Sequence, residues 1–197
     1  MKRSMKTALW MRVASVAFCV TGTGYANSIP VNNASFEADF VGLGGTLSTI
    51  SGWTQNGSSS TYGPTTTQFP GGVPNGINVA AVDDGASISQ TLAATLTALT
   101  QYTLVVYVGQ RADYGLSGFL ISLDAGGNVL ASASSPIPAT GTFTAVTVNF
   151  LSGVSNPDLG GTLSIVLATT GYAQAESDAI SLDGSGGRPR LSRGRGC

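Results

Sequence analysis

In Phe143-Thr144-Ala145-Val146-Thr147-Val148-Asn149-Phe150, the residues Val146, Val148 and Phe150 fall on one side of an extended chain. Ala145, Thr147 and Asn149 fall on the other. A period of two over this length is that of a strand buried on one face. Leu163, Ile165 and Leu167 alternate in the same way, as do Phe119, Ile121 and Leu123. Working outward, strands are predicted at Ala86–Leu92, Tyr102–Gly109, Gly118–Leu123, Asn128–Ser132, Phe143–Phe150, Thr162–Thr169 and Asp178–Leu182. Gly, Asn, Asp and Pro clusters separate them, and no stretch after Asn27 has convincing helical periodicity. The pattern predicts an all-β fold, an antiparallel β-sandwich. Asp124-Ala125-Gly126-Gly127-Asn128 reads as a hairpin loop, and Leu92–Leu99 suits either a strand or a short helix. Residues 41–78 read as a long loop region holding Trp53, Tyr62 and Phe69, with a short strand near Ile50–Trp53. Loops of that length on a β scaffold are where binding concentrates.

The distribution of charge excludes more than its total of −1. Residues 27–187 hold all ten Asp and Glu against a single base, Arg111, for a net −9. Such a body repels polyanions, so nucleic acid is not an expected partner. There is no histidine, and no lysine or methionine after residue 11. Ser–His–Asp and Cys–His catalysis, Schiff-base lysines, histidine-bound zinc and a lysine-bearing P-loop are all excluded.

Residues 1–26 read as a secretory signal peptide, which predicts a secreted, extracellular protein. Lys2, Arg3 and Lys6 are basic, Val13–Val20 is apolar, and Gly24-Tyr25-Ala26 has small residues around a cleavage point. The apolar run is too short to span a membrane, and no later stretch is long enough. Cys19 lies inside this leader, which leaves Cys197 alone and no intrachain disulfide. The domain is expected over residues 27–183. Residues 184–197, from Gly184-Ser185-Gly186-Gly187 to the arginines 188, 190, 193 and 195, read as a flexible tail.

Several segments together resemble a bacterial exported family of galactose-binding-like, jelly-roll sandwiches, which includes carbohydrate-binding modules and PEP-CTERM proteins. They are Asn33-Ala34-Ser35-Phe36-Glu37 as an opening strand, Gly52-Trp53, Pro74-Asn75-Gly76 and Ile88-Ser89-Gln90-Thr91-Leu92. Tyr102-Thr103-Leu104, Val108-Gly109-Gln110-Arg111, Leu123–Gly127 and the closing Asp178-Ala179-Ile180-Ser181-Leu182 complete the set. The Val-Pro-Glu-Pro sorting motif of PEP-CTERM proteins is missing, and Ser177 and Ala179 depart from the family's closing strand.

The resemblance implies a structural calcium ion held by oxygens near the first and closing strands, at Glu37 and Asp178 with Asn33 contributing. An acid-rich chain without histidine offers only such hard ligands. The alternative is that Glu37 and Asp178 accept backbone N–H bonds. A sugar site is expected at Arg111, Asp113 and Tyr114, where a ring and fixed donors can meet a glycan, with Trp53 as a second platform. The alternative there is an Arg111 salt bridge with Asp113, Asp83 or Asp84, and a Trp53 buried in the core. Glu176 and Asp178 would share one strand face, closer to what glycoside hydrolysis requires than Asp83 and Asp84, which would diverge, but Asp178 is the better calcium candidate. The expectation is a secreted, non-enzymatic carbohydrate-binding sandwich whose partner is a glycan. A structural or adhesive matrix protein is the second choice.

Overall fold

The computed structural model describes residues 26–186. The leader, with Cys19, and the arginine tail, with Cys197, lie outside them. Twelve strands are present among the described residues: β1 Ala26–Ile29, β2 Thr46–Leu47, β3 Thr54–Asn56, β4 Ser59–Tyr62, β5 Val79–Asp83 and β6 Ser87–Thr95. They continue as β7 Thr100–Gln110, β8 Phe119–Ala125, β9 Asn128–Ala133, β10 Thr142–Leu151, β11 Thr162–Thr169 and β12 Gln174–Gly186. Every pairing is antiparallel. One sheet runs β10-β7-β12-β5-β4-β2, with β1 beside β12; the other runs β3-β6-β11-β8-β9.

The alternation in sequence places the core between these sheets. Leu104, Val106, Val108, Val146, Val148 and Leu182 come from the first, and Ile88, Ile121, Leu123, Leu163, Ile165 and Leu167 from the second. A jelly-roll-like β-sandwich is thus the fold. Gly126 and Gly127 join β8 to β9 as a two-residue turn with φ of 57° and 89°, a mirror-image turn that L side chains disfavour.

Three local expectations need correction. Asn33–Glu37 is a set of turns, not a strand, with Asn33 and Phe36 at φ of 48° and 59°. That curl turns Phe36 into the core, and the opening strand is β1 instead. Ile50–Trp53 is likewise a turn, and the strand begins at Thr54. Of the two readings open for Leu92–Leu99, the strand holds over Leu92–Thr95, which extends β6. Gly184–Gly186, read as linker, belongs to β12, pairing with β7 throughout and with β1 at Gly184 and Ser185. Two partner strands supply backbone bonds there that make side chains unnecessary.

β12 changes neighbours along its length, meeting β5 at residues 174–177 and β1 at 182–185. Between them its register against β7 shifts at Asp178/Ser181, and Ala179 adopts a φ of 46°. Bulges of this kind re-aim side chains and gather beside functional sites.

Candidate active site

The two faces of β5 are both buried, which an outer sheet face is not unless something covers it. Ala80 and Val82 enter the core; Val79 and Ala81 point away from it and are 0% and 1% exposed. The cover is the segment 63–78. It leaves β4, crosses the outer face and reaches β10, where Phe69 packs on Phe143 with ring centroids 4.4 Å apart. On the way back, the Asn75 N–H donates to Asp178 Oδ2 (2.7 Å), and the Ile77 and Asn78 N–H groups donate to Glu37 Oε1 (2.8 and 2.7 Å). Long loops seldom pack this closely, and here a turn held by the Gln68 and Phe69 N–H groups on Thr65 O (both 3.0 Å) makes it possible.

Under the cover, strand register places Phe143, Gly109, Glu176, Ala81 and Ser60 in one row across five strands. The residues flanking Glu176 are therefore a glycine and an alanine. Phe143 leans over the missing side chain, so a Cβ at Gly109 would lie 2.5 Å from its ring. Gly109→Val is expected to expel Phe143 and to cost about 1–3 kcal/mol by overpacking. The check is a lower urea midpoint with an unchanged slope.

Glu176 is 0% exposed, and neither carboxyl oxygen has a hydrogen-bond partner. Burying an unbonded carboxylate is far costlier than burying the neutral acid. Burial accordingly pushes its pKa well above the usual carboxylate range; Arg111 opposes this, while Asp83 and Asp113 add to it.

Arg111 is close enough to matter yet bonded elsewhere. Its Nε and Nη2 donate to the two oxygens of Asp113 (2.9 and 2.8 Å), and Nη1 donates to Gln174 Oε1 (2.7 Å). The guanidinium lies over Tyr62 at 5.0 Å and Tyr114 at 5.8 Å from the ring centroids. Arg111, and after it the Gln68 amide, holds the Asp113 carboxyl down at about 2. Gln174 Nε2 continues the network to Asp83 Oδ1 (2.6 Å), whose other oxygen accepts from Ser58 Oγ (2.9 Å). Glu176 is left outside this chain of bonds: an enclosed acid beside a neutralised cation.

Arg111, Asp113 and Tyr114 are therefore brought together, and the Arg111–Asp113 ion pair forms. Trp53 is not with them. It is 7% exposed, packs in the core against Phe36 at 5.6 Å, and offers no platform. Glu176 and Asp178 share the outer face, as expected, but both are 0% exposed beneath the cover. Such a closed position has no room for a polysaccharide chain.

Asn33, Glu37 and Asp178 lie where the segment 63–78 returns to the sandwich. Asn33 Oδ1 accepts from the Ala38 N–H (3.0 Å), and Asp178 Oδ1 accepts from the Ala179 N–H (2.6 Å). Burial, helped by the nearby Glu37 charge and opposed by two backbone donors, raises the Asp178 pKa to about 7. Asn78 Oδ1 is buried without a partner, while its Nδ2 faces Glu37 Oε2 at 3.2 Å. Among the described residues no three His, Cys, Asp or Glu side chains converge. A cation here would be shared between two carboxylates and neutral amide or carbonyl oxygens.

Sequence reasoning missed Gln68, Phe69, Phe143 and Gln174. The available signal was Gln68-Phe69 itself, a buried-type pair inside a Gly- and Pro-rich stretch.

The jelly-roll sandwich encloses an unbonded carboxylic acid under a cover that carries Phe69, unlike an open glycan-binding face. The family model for HpiC1 cyclase matches residues 27–183, and the chain belongs to this HpiC1-like family. No curated protein matches the sequence. Among solved structures, the Stig cyclase Fisc of Fischerella sp. TAU bound to (3Z)-3-(1-methyl-2-pyrrolidinylidene)-3H-indole is similar. It is 26% identical with a TM-score of 0.77, over 83% of this chain and 100% of that one. A cyclase of Fischerella sp. TAU bound to 4-(1H-indol-3-yl)butan-2-one is 25% identical with a TM-score of 0.72, over 83% and 100%. An apo cyclase from Fischerella sp. is 25% identical with a TM-score of 0.76, over 83% and 98%.

These findings overturn the expected PEP-CTERM-type family and the non-enzymatic, carbohydrate-binding assignment with its glycan or matrix partner. The motifs behind that resemblance are fold-bearing. Trp53, Ile88 and Leu104 line a core that sandwiches of different function can share.

Proposed function

We propose that this protein is a cyclase for a small, largely apolar substrate carrying an indole or similar electron-rich ring, with Glu176 as its general acid. The observation that carries this is the Glu176 carboxyl: fully enclosed, free of hydrogen bonds, and flanked by Gly109 and Ala81. An acid kept neutral by its surroundings can donate a proton where water cannot compete. The indole ligands of the two Fischerella complexes supply the substrate class.

Glu176 gives its proton to an alkene carbon or imine nitrogen of the substrate. The resulting cation is attacked by a ring carbon, and a carbon–carbon bond forms. The ring carbon that made the bond then loses its proton to the Glu176 carboxylate, which restores the ring, so the product is an isomer and the acid is regenerated. Phe69, Phe143 and Tyr62 offer aromatic faces to an intermediate cation.

Calcium fits the pair Glu37 and Asp178, completed by Asn78 Oδ1 and with Asn33 alongside. It would supply positive charge that lets both carboxylates stay ionised, and so hold the returning end of the segment 63–78.

Two measurements test the reading. Calorimetric titration with 4-(1H-indol-3-yl)butan-2-one is expected to give saturable binding. Chromatography of 3-substituted indoles bearing a pendant alkene or imine is expected to show a new peak of unchanged mass. No binding and no isomer across such a panel would refute the assignment.

A further inference from the structure

Any substrate atom that meets Glu176 must first reach oxygens that are closed off. The strands around it cannot open without unfolding the sheet: β12 is paired on both sides, to β5 and to β7. The cover is held differently. The polar bonds that tie its outer part, residues 64–70, to the strands beside it pass through one residue.

Gln68 is 8% exposed and makes contacts in three directions. Its Oε1 accepts from Tyr62 Oη at 2.6 Å, and its Nε2 donates to Asp113 Oδ2 at 2.9 Å. Its backbone oxygen accepts from the Ala112 N–H at 3.0 Å. The remaining anchor is the packing of Phe69 on Phe143. Beyond Pro70, Gly71 and Gly72 have no neighbour within 4 Å of the Cβ position, and the Gly72 N–H bonds only within the turn, to Phe69 O at 2.9 Å, so the turn can swing with the lid. Lids have this construction, a short packed segment with a free hinge.

We propose that residues 64–70 are a lid over Glu176 and that Gln68 is its latch, a positioning residue that bridges Tyr62 and Asp113 to hold the lid shut. The latch joins β4 to the loop after β7, the two walls between which the covered row of residues lies. With Gln68 released, Phe69 loses its bracing and can leave Phe143, uncovering the slot above Gly109 through which an aromatic ring can approach the carboxyl. The importance of this access rests on the acid role given to Glu176 above, but the motion can be measured without it.

The full-length chain is used, with the substitution Glu176→Cys as a reporter of access. Labelling of the introduced thiol by a small thiol reagent is followed by mass on the peptide that holds position 176, which keeps it apart from Cys19 and Cys197, and exchange of the Ala112 amide hydrogen by NMR. Each net hydrogen bond weights an opening equilibrium by roughly fivefold. Gln68→Ala removes the two side-chain bonds that leave the lid, to Tyr62 and Asp113, along with two from Thr65 inside it, so both rates are expected to rise by at least about tenfold and by the same factor. Tyr62→Phe removes one hydroxyl and is expected to give roughly fivefold, while keeping the ring over Arg111. Midpoints of global unfolding within a few degrees of the parent separate lid opening from misfolding. Unchanged labelling in both variants would overturn the proposal, as would faster labelling with unchanged Ala112 exchange. Faster labelling together with full turnover by Glu176→Gln would leave the lid standing and remove the acid. A dead Glu176→Gln enzyme whose labelling ignores Gln68 would do the reverse.

Discussion

Glu176→Gln is expected to lower the rate of cyclisation by about 10²–10⁴-fold, the range a positioned general acid contributes. The same substitution is expected to make the protein more stable at alkaline pH. The amide keeps the shape of the side chain and cannot ionise, so only the transferable proton is lost. In the parent protein, burial raises the folded pKa of Glu176 above its unfolded value. The neutral carboxyl's contribution is then complete below the unfolded value of about 4.3, and it is lost as pH rises through the folded one. Glutamine has no such slope. Melting curves of parent and variant should lie close together near pH 4 and separate as pH increases, with the variant higher. Turnover retained by the variant would remove Glu176 as the acid. Parallel melting profiles across pH would show that the carboxyl is not held neutral.

How far the sequence carried the fold can be judged strand by strand. Val146, Val148, Leu163, Ile165 and Leu167 alternate with polar partners because one side of each strand meets the core, and that contrast is written in the residues. β5 could not be read in this way. Val79-Ala80-Ala81-Val82 is apolar without alternation because the segment 63–78 covers its second face, and nothing local announces that cover. Asn33–Glu37 misled for a different reason: Asn33 is a residue type that tolerates the left-handed region, but Phe36 is not, and an aromatic there reads as strand.

The site was legible only in fragments. The sequence paired Glu176 with Asp178 on one face, which is correct, but hydrolysis follows only if that face is open to a polymer. Its closure depends on Gln68 and Phe69, a hundred residues away in sequence. Arg111 stood out as the one base of the body, and its partner Asp113 lies two residues on; the distant partner Gln174 did not stand out. Neutralising that cation beside Glu176 is a property of the assembled network.

The second large effect is expected at Asp178, whose carboxyl is pushed up to about 7 by burial and by Glu37. The unfolded chain titrates near 3.9, so without a bound cation the folded state loses stability as pH rises between about 4 and 7. About three units correspond to about 4 kcal/mol, or roughly 8–15 °C in melting temperature for a chain of this size. A calcium ion shared by Glu37 and Asp178 would offset most of that loss by giving both charges a common partner. Melting midpoints in calcium and in chelator should therefore agree near pH 4 and differ by roughly 10 °C near pH 8. Measuring in the Glu176→Gln background removes one of the two other buried carboxyls from the slope, and the remaining one, Asp124, contributes equally in calcium and in chelator. Asp178→Asn should abolish this residue's share of the slope and the calcium response, because it leaves Glu37 as the only charge of the pair and Asn78 Oδ1 without a cation to face. Equal midpoints at pH 8 would exclude calcium from this pair. A chelated protein equally stable at pH 4 and pH 8 would instead mean that Asp178 is ionised and satisfied by the Asn75 and Ala179 N–H groups alone.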